Sequence, residues 1–202
     1  HWERKSLNYL IAHTVDNRGR TPPIVEAGIP MVEVSQVAGN GVYTSDNYSK
    51  FITQESYEKF VRSDVKEGDI LFVTVGATFG KTCLVPPSPD FFIAQNVVGF
   101  RCVAHVNPKF FMFLLSSSIF KEAISATNKS STIDNVKVSD LVKTRVVIPL
   151  YEEQEEIANY IFKMTDVFEA LITKAEQAIQ LMQERRTALI SAAVTGKIDV
   201  RG

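Results

Sequence analysis

Gly68–Thr82 reads GDILFVTVGATFGKT, with the glycines, lysine and threonine from which a nucleotide cradle is built. A P-loop requires G-x-x-x-x-G-K-[ST] running straight into a helix, whose free N–H groups hold the phosphates. Only Ala77, Thr78 and Phe79 lie between Gly76 and Gly80, so the loop is one residue short. Pro86, Pro87 and Pro89 follow and forbid a regular helix there. ILFVTV and KTCLV therefore predict a β-hairpin around a Gly-rich turn. Cys102 and His105 are ligand types at close spacing, but no second pair accompanies them and a structural zinc needs four ligands. No metal site is expected. His13 and His105 read as surface or satisfied core histidines.

Around that hairpin, residues 1–150 read as a mixed α/β domain. β-type runs recur at Met31–Val34, Ile70–Val75, Thr82–Val85, Val97–Cys102 and Thr144–Ile148, separated by polar, turn-rich segments. A short helix is predicted over Gln54–Val61, capped by Thr53. A stronger one is predicted from Asn107 as N-cap and Pro108 as first helical residue to about Ser125.

Residues 151–202 follow different rules. Glycine and proline are absent from Glu152 to Val194, which predicts a continuous helix ended by Gly196. Glu152, Glu153, Glu155 and Glu156 place negative charge where the helix dipole favours it. Apolar residues alternate in steps of four and three: Ile157, Ile161, Met164, Phe168, Leu171, Ala175, Ala178, Met182 and, past Arg185, Leu189. That is a heptad seam, and the two alanines would let a partner backbone approach closely. A helix of roughly 60 Å outruns a domain whose radius of gyration is about 15 Å. The seam is therefore expected to meet another long helix. The fold class expected is α+β, a mixed domain followed by a long coiled-coil-type helix.

Bulk properties exclude several classes. No apolar run is long enough to span a membrane, and HWERKSLNYLIAHT is not a signal peptide. Two cysteines, Cys83 and Cys102, suit reduced thiols in a cytoplasmic protein. The net charge of −1 does not announce a polyanion binder. Residues 1–150 nevertheless carry 16 Lys+Arg against 14 Asp+Glu, a net of +2, while 151–202 carry 6 against 9, a net of −3. A basic face on the first part is permitted, not required.

Several stretches together resemble a known family. WERKSLNYL with GRTPP, GDILFVTVGATFGK, AQNVVGFR, IPLYEEQEEIANYI and the closing RRTALISAAVTGKIDV occur in the order found in specificity (S) subunits of Type I restriction–modification systems. The chain resembles half of one, with a single target-recognition domain and a single spacer helix. The resemblance implies two such halves with antiparallel helices, assembled with modification (methyltransferase) subunits and in some systems restriction subunits. S-adenosylmethionine would be bound by the modification subunits, and no cofactor by this chain. The partners implied are double-stranded DNA, those subunits, and a second half: a homodimer through the long helix, or pairing with an N-terminal half of the same longer subunit. Where many members carry a basic residue before the glycine turn, this chain has Thr74.

Catalytic groups are missing. Neither Thr21-Pro22-Pro23-Ile24 nor Val85-Pro86-Pro87-Ser88 fits the [N/D/S]-P-P-[Y/F] motif of an adenine methyltransferase, and no acidic-x-Lys follows Pro89-Asp90 as a nuclease would need. The expectation is a chain that makes and breaks no bonds. Base edges are read by Arg and Lys on guanine and by Asn and Gln on adenine. Loops carrying these types hold Asn17, Arg18 and Arg20; Gln36, Asn40 and Tyr43; and Asn128, Lys129, Ser130 and Ser131. Gln95 and Asn96 lie between β-type runs, and Thr78 and Lys81 on the hairpin turn could face phosphate. The rival readings are a coiled-coil adaptor without sequence-specific DNA binding, and an enzyme using the near-P-loop.

Overall fold

Apolar runs bounded by turns become strands, and capped periodic segments become helices. The computed structural model describes residues 1–19, 21–37, 42–127 and 136–198. Along the chain come β1 (Glu3–Ser6), β2 (Ile11–Val15), β3 (Ile29–Val32), α1 (Val34–Val37), β4 (Phe51–Ile52) and α2 (Gln54–Phe60). Then follow β5 (Ile70–Val73), β6 (Thr82–Leu84), β7 (Phe92–Ile93) and β8 (Val97–Cys102). The remaining elements are α3 (Pro108–Ser116), α4 (Ser118–Thr127), α5 (Val138–Leu141), β9 (Arg145–Ile148) and α6 (Tyr151–Val194). The fold is α+β with mixed sheets and a long C-terminal helix.

The central sheet is antiparallel, in the order β2-β8-β5-β6. β5 is buried at every position, which is why ILFV shows no apolar–polar alternation. Its side chains still alternate between two layers. Phe72 points toward the helices, edge-on to Phe120 at 6.1 Å and to Phe79 at 5.5 Å. Leu71 and Val73 join the opposite cluster with Val15, Val32, Val65 and Ile93. A second sheet, β4-β3-β7, pairs Ile29 with Ile52 antiparallel and Met31 with Phe92 in parallel. β1 and β9 form a separate antiparallel pair.

The predicted hairpin is present: Ile70, Leu71 and Phe72 pair with Leu84, Cys83 and Thr82. Gly76 (φ 66°) and Gly80 (φ 79°) supply the left-handed positions of its turn. Inside the turn the amides of Phe79, Gly80 and Lys81 donate to the carbonyls of Gly76, Val73 and Thr78. Amides committed in this way cannot fan around a phosphate, and Phe79 plugs the turn into the core.

Thr53 caps α2 by accepting from the Ser56 amide at 3.1 Å. Asn107 caps α3 through the amides of Lys109 and Phe110, with Pro108 at the first helical position. The single helix expected over 107–125 is instead two. Ser117 leaves the helix with ψ 152°, donates to the Leu114 carbonyl at 2.7 Å and accepts from the Phe120 amide at 3.2 Å. It therefore ends α3 and caps α4, a role serine fills better than a helix interior. β1 and β2 went unforeseen because ERKS and IAHTV are polar or only partly buried.

Two compact units divide the chain, one from His1 to Ala158 and one from Asn159 onward. In the first, Gln154 is buried on the opening turns of α6. Its Oε1 accepts from the Asn107 amide at 2.9 Å and its Nε2 donates to the Pro149 carbonyl at 3.0 Å. In the second, α6 ends in a Schellman motif: Lys197 N donates to Ala192 O at 2.9 Å and Gly196 N to Ala193 O at 3.2 Å, with Gly196 at φ 70°.

Candidate functional site

Strand direction gathers the polar groups at one end of the central sheet. Val73 pairs with Val97 and Val15 with Gly99, so the exit of β2, the exit of β5 and the entry to β8 share that end. Asp16–Arg18, the turn from Thr74 to Gly80 and the Gln95–Asn96 turn therefore converge there. Thr74 ties them together. Buried immediately after β5, it donates to the Asn96 carbonyl from its amide at 3.0 Å and from its hydroxyl at 3.2 Å. Its own carbonyl accepts from the Val136 amide at 3.4 Å. The position where a basic residue was looked for is thus a structural strut.

The result is an open pocket of about 740 Å³ lined by Asp16, Arg18, Gly19, Gln95, Asn96 and Lys137. Arg18 is held by a fork on Asp16: Nε to Oδ1 at 2.8 Å and Nη2 to Oδ2 at 2.8 Å. The Arg18 amide also donates to Asp16 Oδ1 at 3.1 Å. Burial pushes the Asp16 pKa up, but the hydrogen bonds from Arg18 and the charges of Arg18 and Arg62 outweigh it, and the net value is lowered. A guanidinium carries five N–H donors, so this fork fixes its direction while leaving the outer edge for a ligand. Asn96 is exposed, and its carboxamide has no hydrogen-bond partner among the described residues. Gln95 is half-buried, with Nε2 bonded to Thr21 Oγ1. Exposed Lys137 adds a positive charge. Together the groups can donate to guanine, pair with adenine and neutralise phosphate. A second pocket of about 310 Å³, mostly apolar, shares Gln95 and Asn96 in its lining.

Other candidates fare differently. Asn17 is buried, with Oδ1 accepting from the amides of Arg62 (3.0 Å) and Ser63 (3.2 Å) and Nδ2 donating to the Ser63 carbonyl (3.2 Å). It anchors the loop that carries Arg18. Gln36 is likewise buried, accepting from the Glu33 amide at 3.0 Å and donating to the Asn47 carbonyl at 2.7 Å. Both side chains are buried with hydrogen bonds made inside the fold. Tyr43 is exposed but bridges to Leu84, which pairs with Ile70 at the far end of β5. It is not brought to the pocket. Thr78 and Lys81 lie on the hairpin turn at the pocket's end of the sheet, half-buried and exposed respectively, without lining it. Arg20, Asn40, Asn128, Lys129, Ser130 and Ser131 lie outside the described residues. Lys137 was missed; the only signal was a lone base just beyond the polar run ATNKSSTIDN.

On α6, Ile157, Ile161 and Met164 are half-buried, while Phe168, Leu171, Ala175, Ala178, Met182 and Leu189 are exposed. Val167, Ile172, Ile179, Leu181 and Ile190 are also exposed, so the apolar face is wider than the seam alone. Among the described residues no group of three or more His, Cys, Asp or Glu is placed to hold a metal. No described helix is long and apolar enough to cross a membrane.

A family model described as "Type I restriction modification DNA specificity domain" matches residues 17–181. The chain is 24% identical over 181 residues to the Type I restriction enzyme EcoBI specificity subunit of Escherichia coli, covering 86% of this chain and 36% of that protein. Its fold is similar to a chain from a study of complex assembly and conformational transition in the type I R-M system. That match has a TM-score of 0.71 at 16% identity and covers 95% of this chain and 45% of that one. The HsdS subunit from Thermoanaerobacter tengcongensis gives a TM-score of 0.61 at 18% identity, over 94% of this chain and 47% of that one. The chain thus spans less than half the length of each of these relatives.

Proposed function

Because the chain belongs to the Type I restriction modification DNA specificity domain family, we propose that it reads one half of a bipartite DNA site. It does so without making or breaking bonds, and it scaffolds modification subunits that carry S-adenosylmethionine. The observation that carries this reading is the gathering of Arg18, Gln95, Asn96 and Lys137 on one pocket at a single end of the sheet. The first three supply base-edge chemistry, and Lys137 supplies attraction to the phosphate chain. Thr78 and Lys81, at the same end, add phosphate contacts. The recognition domain corresponds to residues 1–150, and residues 151–202 form the spacer. The system is a cytoplasmic one, with restriction subunits as further partners where the complex cleaves.

The seam of α6 pairs with a second half, either a second copy of this chain or an N-terminal half. At 44 residues the helix is about 66 Å long. It caps the unread spacer between half-sites at roughly nineteen base pairs of 3.4 Å each. Mixing the chain with modification subunits and a randomised duplex pool tests the proposal. A recovered bipartite consensus supports it. Binding of the subunits with no sequence enrichment would instead make the chain a coiled-coil adaptor, a role its exposed apolar helix face could serve.

A further inference from the structure

We propose that Arg4, Lys5 and Arg145 hold the phosphate chain of the DNA spacer beside the half-site, from the end of the central sheet opposite the reading pocket. This rests on the DNA reading above. Arg4, Lys5, Ser6, Tyr9, His105 and Arg145 line an open pocket of about 540 Å³. On the β1–β9 ribbon Arg4 lies opposite Val147 and Ser6 opposite Arg145. Arg4 and Arg145 are therefore diagonal neighbours on one face, within reach of each other's long side chains. Both are exposed, and among the described residues neither guanidinium has a carboxylate partner. Lys5 pairs with Glu3 at 2.7 Å, but both side chains meet solvent, where such a pair contributes little. Like charges held side by side repel, and an anionic occupant removes that penalty.

The reading pocket lacks what this patch holds in excess. Its Arg18 is neutralised by the fork on Asp16, which leaves Lys137 on the lining and Lys81 on the adjoining turn. Attraction to a duplex comes largely from lysine and arginine on phosphates, so a domain that reads bases at one end needs further cations elsewhere. Arginine, lysine and tyrosine are among the donors that phosphate contacts use. Exposed Tyr9 adds its hydroxyl, whereas the Ser6 hydroxyl is spent on the Val142 carbonyl at 3.0 Å. Position points to the spacer. β8 runs from Val97, beside Gln95 and Asn96, to Cys102, and the Val103 amide then donates to the Leu10 carbonyl at 3.1 Å. That contact brings the segments of Tyr9 and His105 together at the far end. The length of β8 sets the two pockets roughly 17 Å apart, about five base-pair steps of 3.4 Å. The patch also adjoins the root of α6, where Gln154 Nε2 donates to the His105 carbonyl at 3.4 Å. In the proposed assembly α6 leads toward the second half, so phosphates reached from its root belong to the unread spacer.

The test uses the full chain assembled with modification subunits. Selection from the randomised duplex pool comes first; if it returns no consensus, the DNA reading falls and this proposal with it. On the consensus duplex, R4Q/R145Q should reduce the slope of log affinity against log salt by about two. Its deficit should accordingly shrink about tenfold between roughly 50 and 200 mM salt, while the consensus it selects stays the same. R4K/R145K keeps the charge and should keep the slope of the unvaried chain, which separates lost attraction from lost folding. An unchanged slope for R4Q/R145Q, or a consensus altered at a base position, would overturn the proposal. Uncharged methylphosphonate linkages locate the contact. Placed in the spacer about five base pairs from the half-site, they should weaken binding by the unvaried chain and have no further effect on R4Q/R145Q. Equal weakening of both proteins would remove the patch from the spacer. Loss of modification-subunit binding without DNA, at an unchanged salt slope, would also sink it, and would make the patch a dock for an acidic protein surface instead.

Discussion

The Asn96 carbonyl accepts two hydrogen bonds from Thr74, from the amide at 3.0 Å and from Oγ1 at 3.2 Å. Through this contact the exit of one central strand fixes the turn that presents Gln95 and Asn96. The Thr74 carbonyl in turn holds Val136, next to Lys137. Such an anchor keeps the strut in the core while the loop tips beyond it stay free to differ.

Asn96 and Asn17 test the proposed separation of base reading from loop positioning. Asn96→Ala should leave stability within about 0.5 kcal/mol and remove about 1–3 kcal/mol of discrimination at one adenine-containing position. Asn17→Ala should cost about 2 kcal/mol of stability, because the amides of Arg62 and Ser63 lose their acceptor. Paired denaturation and binding-selection measurements check both. A destabilised Asn96→Ala with unchanged sequence preference would reverse the assignment.

Lys137→Ala should weaken DNA binding about equally for all sequences and reduce the slope of log affinity against log salt by about one. Titrations at several salt concentrations measure it. A change confined to one base position would make Lys137 a reader.

Gln154→Ala should destabilise the first unit by about 2–3 kcal/mol, since the Asn107 amide and the Pro149 carbonyl are left without their partner. Urea unfolding reports the loss. Gln154→Glu is the sharper probe, because it keeps the acceptor for Asn107 and loses the donor to Pro149.

Asp16 gives an acid-side signature. Its pKa in the fold is lowered from the ordinary 3.8, so its contribution to stability is present above that value. The contribution is lost as pH falls through the lower folded value, because the unfolded chain binds the proton first. Asp16→Asn should flatten the stability–pH curve below about pH 4, and should release Arg18 from its fork at neutral pH.

Gly28→Ala should cost about 2–3 kcal/mol. Gly28 holds φ 150°, and an added Cβ would come within 2.3 Å of the Ile52 carbonyl oxygen, which belongs to the backbone and cannot rotate away. Thermal unfolding of the variant measures it.

The sequence by itself determined what depends on neighbours along the chain. The ILFV strand, the hairpin turn at Gly76–Gly80, the caps at Thr53 and Asn107, and the helix from Tyr151 to its stop at Gly196 all follow from local spacing and backbone preference. The tertiary structure alone decided which polar side chains face outward. Asn17 and Asn96 are chemically identical, yet one is consumed by amides 45 and 46 residues away and the other is left open. The same holds for Gln36 held by Glu33 and Asn47, for Thr74 as a strut, and for Lys137 on one pocket with Arg18. A side chain's availability is set by the groups that folding brings beside it. Those groups lie too far along the chain for composition or periodicity to record.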